Sequence, residues 1–101
     1  MSVEQRKSKR FNVELPFEVV RNGNRRTSLT GQTRNMSSAG VLLATDAKLQ
    51  VGETIEYLIT LPTMNGAERV RVRCRGKVVR NTPLGIAATL DRYEFVRNHV
   101  N

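Results

Sequence analysis

Apolar and polar residues alternate from Val13 onward: Val13, Leu15, Phe17 and Val19 are apolar, with Glu14, Pro16 and Glu18 between them. A period of two is the mark of a strand with one face buried. Pro16 has no amide proton to donate, which suits an edge position or a bulge. Asn22-Gly23-Asn24 signals a turn, so residues 25–34 are predicted to return antiparallel. Gly31-Gln32-Thr33-Arg34 reads as a polar extended segment, and the apolar run Val41-Leu42-Leu43-Ala44 as a buried strand reaching residue 45. After a turn at Leu49–Gly52, Ile55, Tyr57, Ile59 and Leu61 alternate with Glu56, Leu58 and Thr60, and Pro62 and Asn65-Gly66 close that strand. The clearest alternation follows, with Val70, Val72, Cys74, Gly76 and Val78 on one face and Arg69, Arg71, Arg73, Arg75 and Lys77 on the other. Gly76 inside it predicts a bend or bulge of the kind that barrel corners require. Asn81-Thr82-Pro83 is predicted as a loop and residues 84–90 as a last strand. Asp91 is predicted to cap a short helix over Arg92–His99, with Tyr93 and the Phe95-Val96 pair turned toward the core.

Six short strands and one terminal helix predict an all-β fold, a small six-stranded antiparallel barrel whose helix plugs an open end. With 101 residues the chain has room for one domain, and its 39% hydrophobic content supports one modest core. Residues 12–101 are expected to form the barrel, and residues 1–11 a flexible basic segment ahead of it. No apolar run is long enough to span a membrane, and the N-terminus lacks the apolar block of a secretory signal. One cysteine, Cys74, cannot form an internal disulfide, which fits a reducing cytoplasm. It falls on the inward face of its strand and is expected to be a buried small hydrophobe. A single Cys and a single His, His99, do not make a zinc site. Paired carboxylates in a plausible pocket and a Ser/His/Asp order are both missing from the pattern, so an enzyme is not expected.

Charge adds a partner class to this picture. The net charge is +8, which directs attention to an anionic ligand. Residues 1–34 carry eight basic and three acidic groups, residues 35–68 one and four, and residues 69–101 eight and two. Basicity therefore sits at the two ends. The stripe from Arg69 to Lys77 would suit a nucleic-acid backbone, the alternative function for a small basic barrel. Aromatics make up only 5% of the chain and Trp is absent, so stacking platforms are scarce. A solvated sheet face partnered by neighbouring Glu residues accounts for the same stripe.

Two stretches carry the candidate chemistry. Arg6 and Arg10 form an Arg-x-x-x-Arg pair and, in an extended segment, lie on one side roughly 13 Å apart at about 3.3 Å per residue. Arginine forks onto phosphate oxygens and the guanine Hoogsteen edge and stacks flat on bases. The spacing alone is uninformative, because Arg21/Arg25, Arg69/Arg73 and Arg71/Arg75 share it. Asn35-Met36-Ser37-Ser38-Ala39-Gly40 is more selective. Asn35 and Ser37 project to one side of an extended chain, and Gly40 permits either a positive φ or a close backbone approach. A plain turn built from turn-forming residues is the other account of this stretch. The basic segment ahead of the first strand is placed to fold back and meet this loop.

Arg6-Lys7-Ser8-Lys9-Arg10, Leu15-Pro16 and Asn35-Met36-Ser37-Ser38-Ala39-Gly40 together resemble the PilZ domain, a bacterial receptor for cyclic di-GMP. The family's RxxxR and [D/N]xSxxG signatures are both met without a gap. The resemblance extends through Val51-Gly52, Arg75–Arg80 and Leu84-Gly85-Ile86. It implies a six-stranded barrel with a C-terminal helix. It also implies that Arg6 and Arg10 contact guanine and phosphate, that Asn35 and Ser37 bind base or phosphate from the opposite side, and that Gly40 shapes the loop. Asn35 stands where many members have Asp. Gln5, just before Arg6, occupies a position that resembles the family's switch between one bound nucleotide and an intercalated pair, and leaves both open. The function implied is that of a single-domain receptor and adaptor, relaying its signal to an unidentified protein by ordering the N-terminal segment.

Overall fold

The structure, a computed structural model, describes residues 11–62 and 68–99. Seven antiparallel strands cover most of this length: β1 (Pro16–Asn22), β2 (Arg25–Met36), β3 (Gly40–Ala44), β4 (Thr54–Thr60), β5 (Glu68–Thr82), β6 (Gly85–Thr89) and β7 (Arg92–His99). They form one sheet in the order β4-β1-β2-β3-β6-β5-β7, and pairing of β4 with β5 closes the first six into a ring. The alternation read from the sequence is what fills the ring. Phe17 and Val19 from β1, Val41 and Leu43 from β3, Ile55, Tyr57 and Ile59 from β4, Cys74 and Val78 from β5, and Ile86 and Ala88 from β6 form the buried core. Pro16 opens β1, where it faces Gln32 of β2, and the bulge in β1 lies further on, between Val19 and Arg21.

β5 is the longest strand, and it changes partner along one edge. Its first part, Glu68–Arg75, pairs with β7, and its last part, Val78–Thr82, pairs with β6. The change occurs around Gly76. There the Thr89 carbonyl passes so close that a Cβ on Gly76 would collide with it. The Lys77 amide donates to Thr89 Oγ1 at 2.8 Å and the Asp91 amide to the Arg75 carbonyl at 2.9 Å. Gly76 is therefore the predicted corner. Of the predicted loop at Asn81-Thr82-Pro83, Asn81 and Thr82 are instead the end of β5, and Pro83 and Leu84 form the tight turn into β6, with Thr82 Oγ1 accepting the Leu84 and Gly85 amides.

The helix expected over Arg92–His99 is not formed: this segment is the strand β7, and no helix occurs among the described residues. Tyr93 and Phe95 do not enter the core, being 61% and 64% exposed. The free edge of β5 explains the difference. Its backbone groups from Glu68 to Arg75 need partners, and Arg92–His99 supplies them residue for residue.

Burial pushes the Cys74 thiol up from 9.0 to about 12 and raises the Tyr57 phenol strongly, with Cys74 and Asp91 adding to the rise at Tyr57. Both groups stay neutral in the native state at pH values where the unfolded chain ionises them. Above the unfolded value the native state therefore holds more protons, and stability falls as pH rises. Urea titrations are expected to give a midpoint that falls from about pH 9 to 12, with a shallower fall in Cys74→Ala.

Candidate functional site

The Asn35–Gly40 stretch joins β2 to β3 and is fixed from within. The Ser37 amide donates to the Gly40 carbonyl at 2.9 Å, while Ser37 Oγ accepts the Ala39 amide at 3.1 Å and the Gly40 amide at 3.2 Å. The Ala39 and Gly40 amides are thus satisfied by the Ser37 hydroxyl, which acts as a local brace. Outside the loop, the Leu90 amide donates to the Ala39 carbonyl at 2.9 Å, tying it to the end of β6. Gly40 sits where a Cβ would lie 2.8 Å from the Ala88 carbonyl. Close backbone approach, not a positive φ, is what glycine provides there.

Asn35, Ser37 and Gly40 line one groove of about 740 Å³, and the far wall comes from the β5–β6 hairpin. Arg80 contributes a cation to that wall, and Val79 and Leu84, 46% and 55% exposed, contribute apolar surface. Sequence reasoning did not single out these three as site residues. The available signal was the Asn81-Thr82-Pro83 turn, which joins β5 to β6 so that Val79 and Leu84 line one groove. A groove with an amide, a hydroxyl, a cation and flanking apolar faces can hold a planar, polar anion.

Residues 11–15 run beside the end of β2 on the way into β1. Phe11 forms an isolated bridge with Met36, each amide donating to the other's carbonyl at 2.8 and 2.9 Å. Further along, the Thr33 amide donates to the Leu15 carbonyl at 2.9 Å, and Thr33 Oγ1 accepts the Leu15 amide at 3.0 Å. Thr33 is fully buried, and these bonds, with one from its hydroxyl to the Val13 carbonyl, satisfy it. The chain is thereby delivered to Met36, between Asn35 and Ser37. Arg6 and Arg10 lie outside the described residues; Arg10 is the neighbour of Phe11 in sequence.

The basic stripe on β5 belongs to a different surface. Arg73, Arg75 and Lys77 are exposed on the outer face. Glu56 lies 3.6 Å from Arg21 and 4.0 Å from Arg75, and Glu94 lies 3.4 Å from Arg73. That is the partnered, solvated face that the sequence allowed as its plain account. Tyr57 and Phe17 are in the core and unavailable for stacking on this face. No group of three or more His, Cys, Asp or Glu residues able to hold a metal occurs among the described residues. No helix among them is long and apolar enough to cross a membrane.

Comparison with the curated proteins finds no match. The family model of the PilZ domain matches residues 4–99, which takes in both signatures, the strand ring and the β5–β6 wall of the groove. The chain therefore belongs to the PilZ domain family, whose members are non-enzymatic cyclic di-GMP-binding adaptors.

Proposed function

We propose that this chain is a cyclic di-GMP receptor that grips the dinucleotide between Arg6 and Arg10 on one side and Asn35, Ser37 and Gly40 on the other. In this reading residues 1–11 are the gripping segment and residues 12–101 the barrel that carries the loop. The observation that supports it most is the Phe11–Met36 bridge, because it brings the residue after Arg10 against the last residue of β2, between Asn35 and Ser37. Two guanidinium groups and the groove wall would then meet a ligand with two phosphates and two purine faces from opposite sides.

Residues 1–10 are polar and basic, with too few apolar groups to dock on the barrel unaided, so the ligand supplies the common partner that orders them. Fixing each residue costs about 1–2 kcal/mol of backbone entropy, which the contacts of both arginines must exceed. The ordered segment changes the surface offered to a downstream protein. Calorimetric titration with cyclic di-GMP, linear pGpG, cyclic di-AMP and single-stranded DNA tests the assignment. Selective, tight binding of cyclic di-GMP is expected, and the molar ratio at saturation distinguishes one nucleotide from an intercalated pair. Preference for DNA with steep salt dependence would contradict it.

Ser37→Ala tests the brace. Loss of the hydroxyl leaves the Ala39 and Gly40 amides without their acceptor. The expected cost is about 1 kcal/mol of stability. Binding is expected to weaken less than on loss of either arginine, with altered amide shifts confined to residues 36–40.

A further inference from the structure

The strand register sets four arginines in one row across the outer face. Arg26 of β2 faces Arg21 of β1, Arg21 faces Glu56 of β4, Glu56 faces Arg75 of β5, and Arg75 faces Arg92 of β7. Directly opposed residues share a face, and like charges opposed in this way destabilise a sheet. The row holds two such pairs, Arg21–Arg26 and Arg75–Arg92, one on each side of Glu56. That carboxylate lies 3.6 Å from Arg21 and 4.0 Å from Arg75, while Glu94 is taken by Arg73. Arg26 and Arg92 are exposed and have no acidic partner among the described residues. Beside the row, apolar residues interrupt the polar outer face: Val20 at the β1 bulge and Leu58 on β4. Both are half-buried, and they line a groove of about 530 Å³ with Arg21, Arg26 and Arg73.

We infer that this row is a docking surface for an acidic segment of the downstream protein, with one carboxylate seated at Arg21–Arg26, a second at Arg75–Arg92, and an apolar side chain on Val20 and Leu58 between them. The inference rests on the adaptor reading and names the class of partner which that reading leaves open. An anion placed between two opposed guanidinium groups relieves their repulsion and takes charge-assisted hydrogen bonds from both. The centres of the two pairs lie roughly 14 Å apart, three strand spacings of about 4.8 Å. In an extended peptide, side chains four residues apart lie on one side and roughly 13 Å apart, at about 3.3 Å per residue. The residue midway between them meets Glu56 and the apolar floor, and is uncharged. A protein segment therefore fits better than a nucleic acid. A phosphate chain carries charge on every unit, would set one against Glu56 and gains nothing from Val20 and Leu58. It also finds no ring to stack on here, because Tyr93 and Phe95 share the opposite face with Cys74 and Val72. Along β2, Arg26 lies roughly 33 Å from Met36 beside the nucleotide loop, at about 3.3 Å per residue. The row thus anchors the partner with or without nucleotide, and the N-terminal segment supplies the contact that changes.

The test uses the full chain without nucleotide, so that its failure is separate from a failure of cyclic di-GMP binding. Fluorescence anisotropy is read with labelled peptides of repeating Asp-Ser-Leu-Ser and Asp-Ser-Ser-Ser, equal in length and charge, and with duplex DNA. The Leu-bearing peptide is expected to bind more tightly than its Ser counterpart by about threefold or more, from partial burial of one apolar side chain. Arg26→Glu and Arg92→Glu are each expected to raise its dissociation constant at least about tenfold, since each sets like charges together. Lys48→Glu makes the same charge reversal at an exposed position on the loop before β4, outside the row, and is expected to change it by less than about twofold. Both row variants replace a like-charge cross-strand pair by an opposite one, so their melting temperatures should equal or exceed that of the wild type. No binding of either peptide, equal affinity for the two, an equal loss in Lys48→Glu, or row variants that lose DNA binding and keep peptide binding would overturn the inference.

Discussion

Arg6→Ala and Arg10→Ala are each expected to weaken cyclic di-GMP binding roughly 10- to 100-fold, the value of charge-assisted hydrogen bonds worth about 1.5–3 kcal/mol. Arg21→Ala and Arg25→Ala, which repeat the four-residue spacing, are expected to change affinity by less than about twofold. Their context differs. Arg21 faces Arg26 across the β1–β2 hairpin and lies 3.6 Å from Glu56, and Arg25 is paired with Asn22 at the hairpin end. Neither residue lines the groove of Asn35, Ser37 and Gly40. Calorimetry at one ionic strength checks all four. Equal losses at both pairs would mean that bulk positive charge, and not the motif, carries the binding.

Gly76→Ala is expected to cause the largest loss of stability of any single methyl addition to the barrel. The new Cβ would overlap the Thr89 carbonyl, a backbone atom held by more than one contact. Tyr57 donates its hydroxyl hydrogen to that same carbonyl at 3.0 Å, and the Lys77 amide holds Thr89 Oγ1. Relief would require β6 to move away from β5 at the corner where β7 departs. Overpacking typically costs about 1–3 kcal/mol and occasionally more, and this site, lacking a flexible neighbour to yield, belongs at the upper end. For a domain of this size each kcal/mol lowers the melting temperature by about 4–8 °C. Calorimetric or circular-dichroism melting would register the fall, and Gly52→Ala serves as a control for added volume alone, since nothing lies within 4 Å there. The control should lose less, and what it loses reflects its φ of +90°.

Most of the barrel was legible because alternation of apolar and polar positions reports a half-buried strand directly. The same local evidence failed at Arg92–His99. Asp91 resembled a cap, and Phe95-Val96 resembled the inward face of a helix. The Arg92-Tyr93-Glu94-Phe95 alternation fits a strand, and the aromatic residues favour one. What decides between them is the long unpaired edge of β5, a partner more than 15 residues away in sequence. The loop motif was legible in composition but not in detail. Gly40 answers to a carbonyl on β6, and Ser37 Oγ turns inward to its own loop amides. Phe11 meeting Met36, and Arg80 and Leu84 facing Asn35 across the groove, depend on strand register, which a pattern of residue types does not encode.

Amide hydrogen exchange with and without cyclic di-GMP tests the central claim most directly, because it reads the gripping segment and the loop in one experiment. The account predicts new protection in residues 3–10, ahead of the Phe11 amide that already donates to Met36, with smaller changes at the braced Asn35–Gly40 loop and in the ring strands. A segment equally protected with and without ligand, or protection centred on the outer face at Arg73–Lys77, would contradict it.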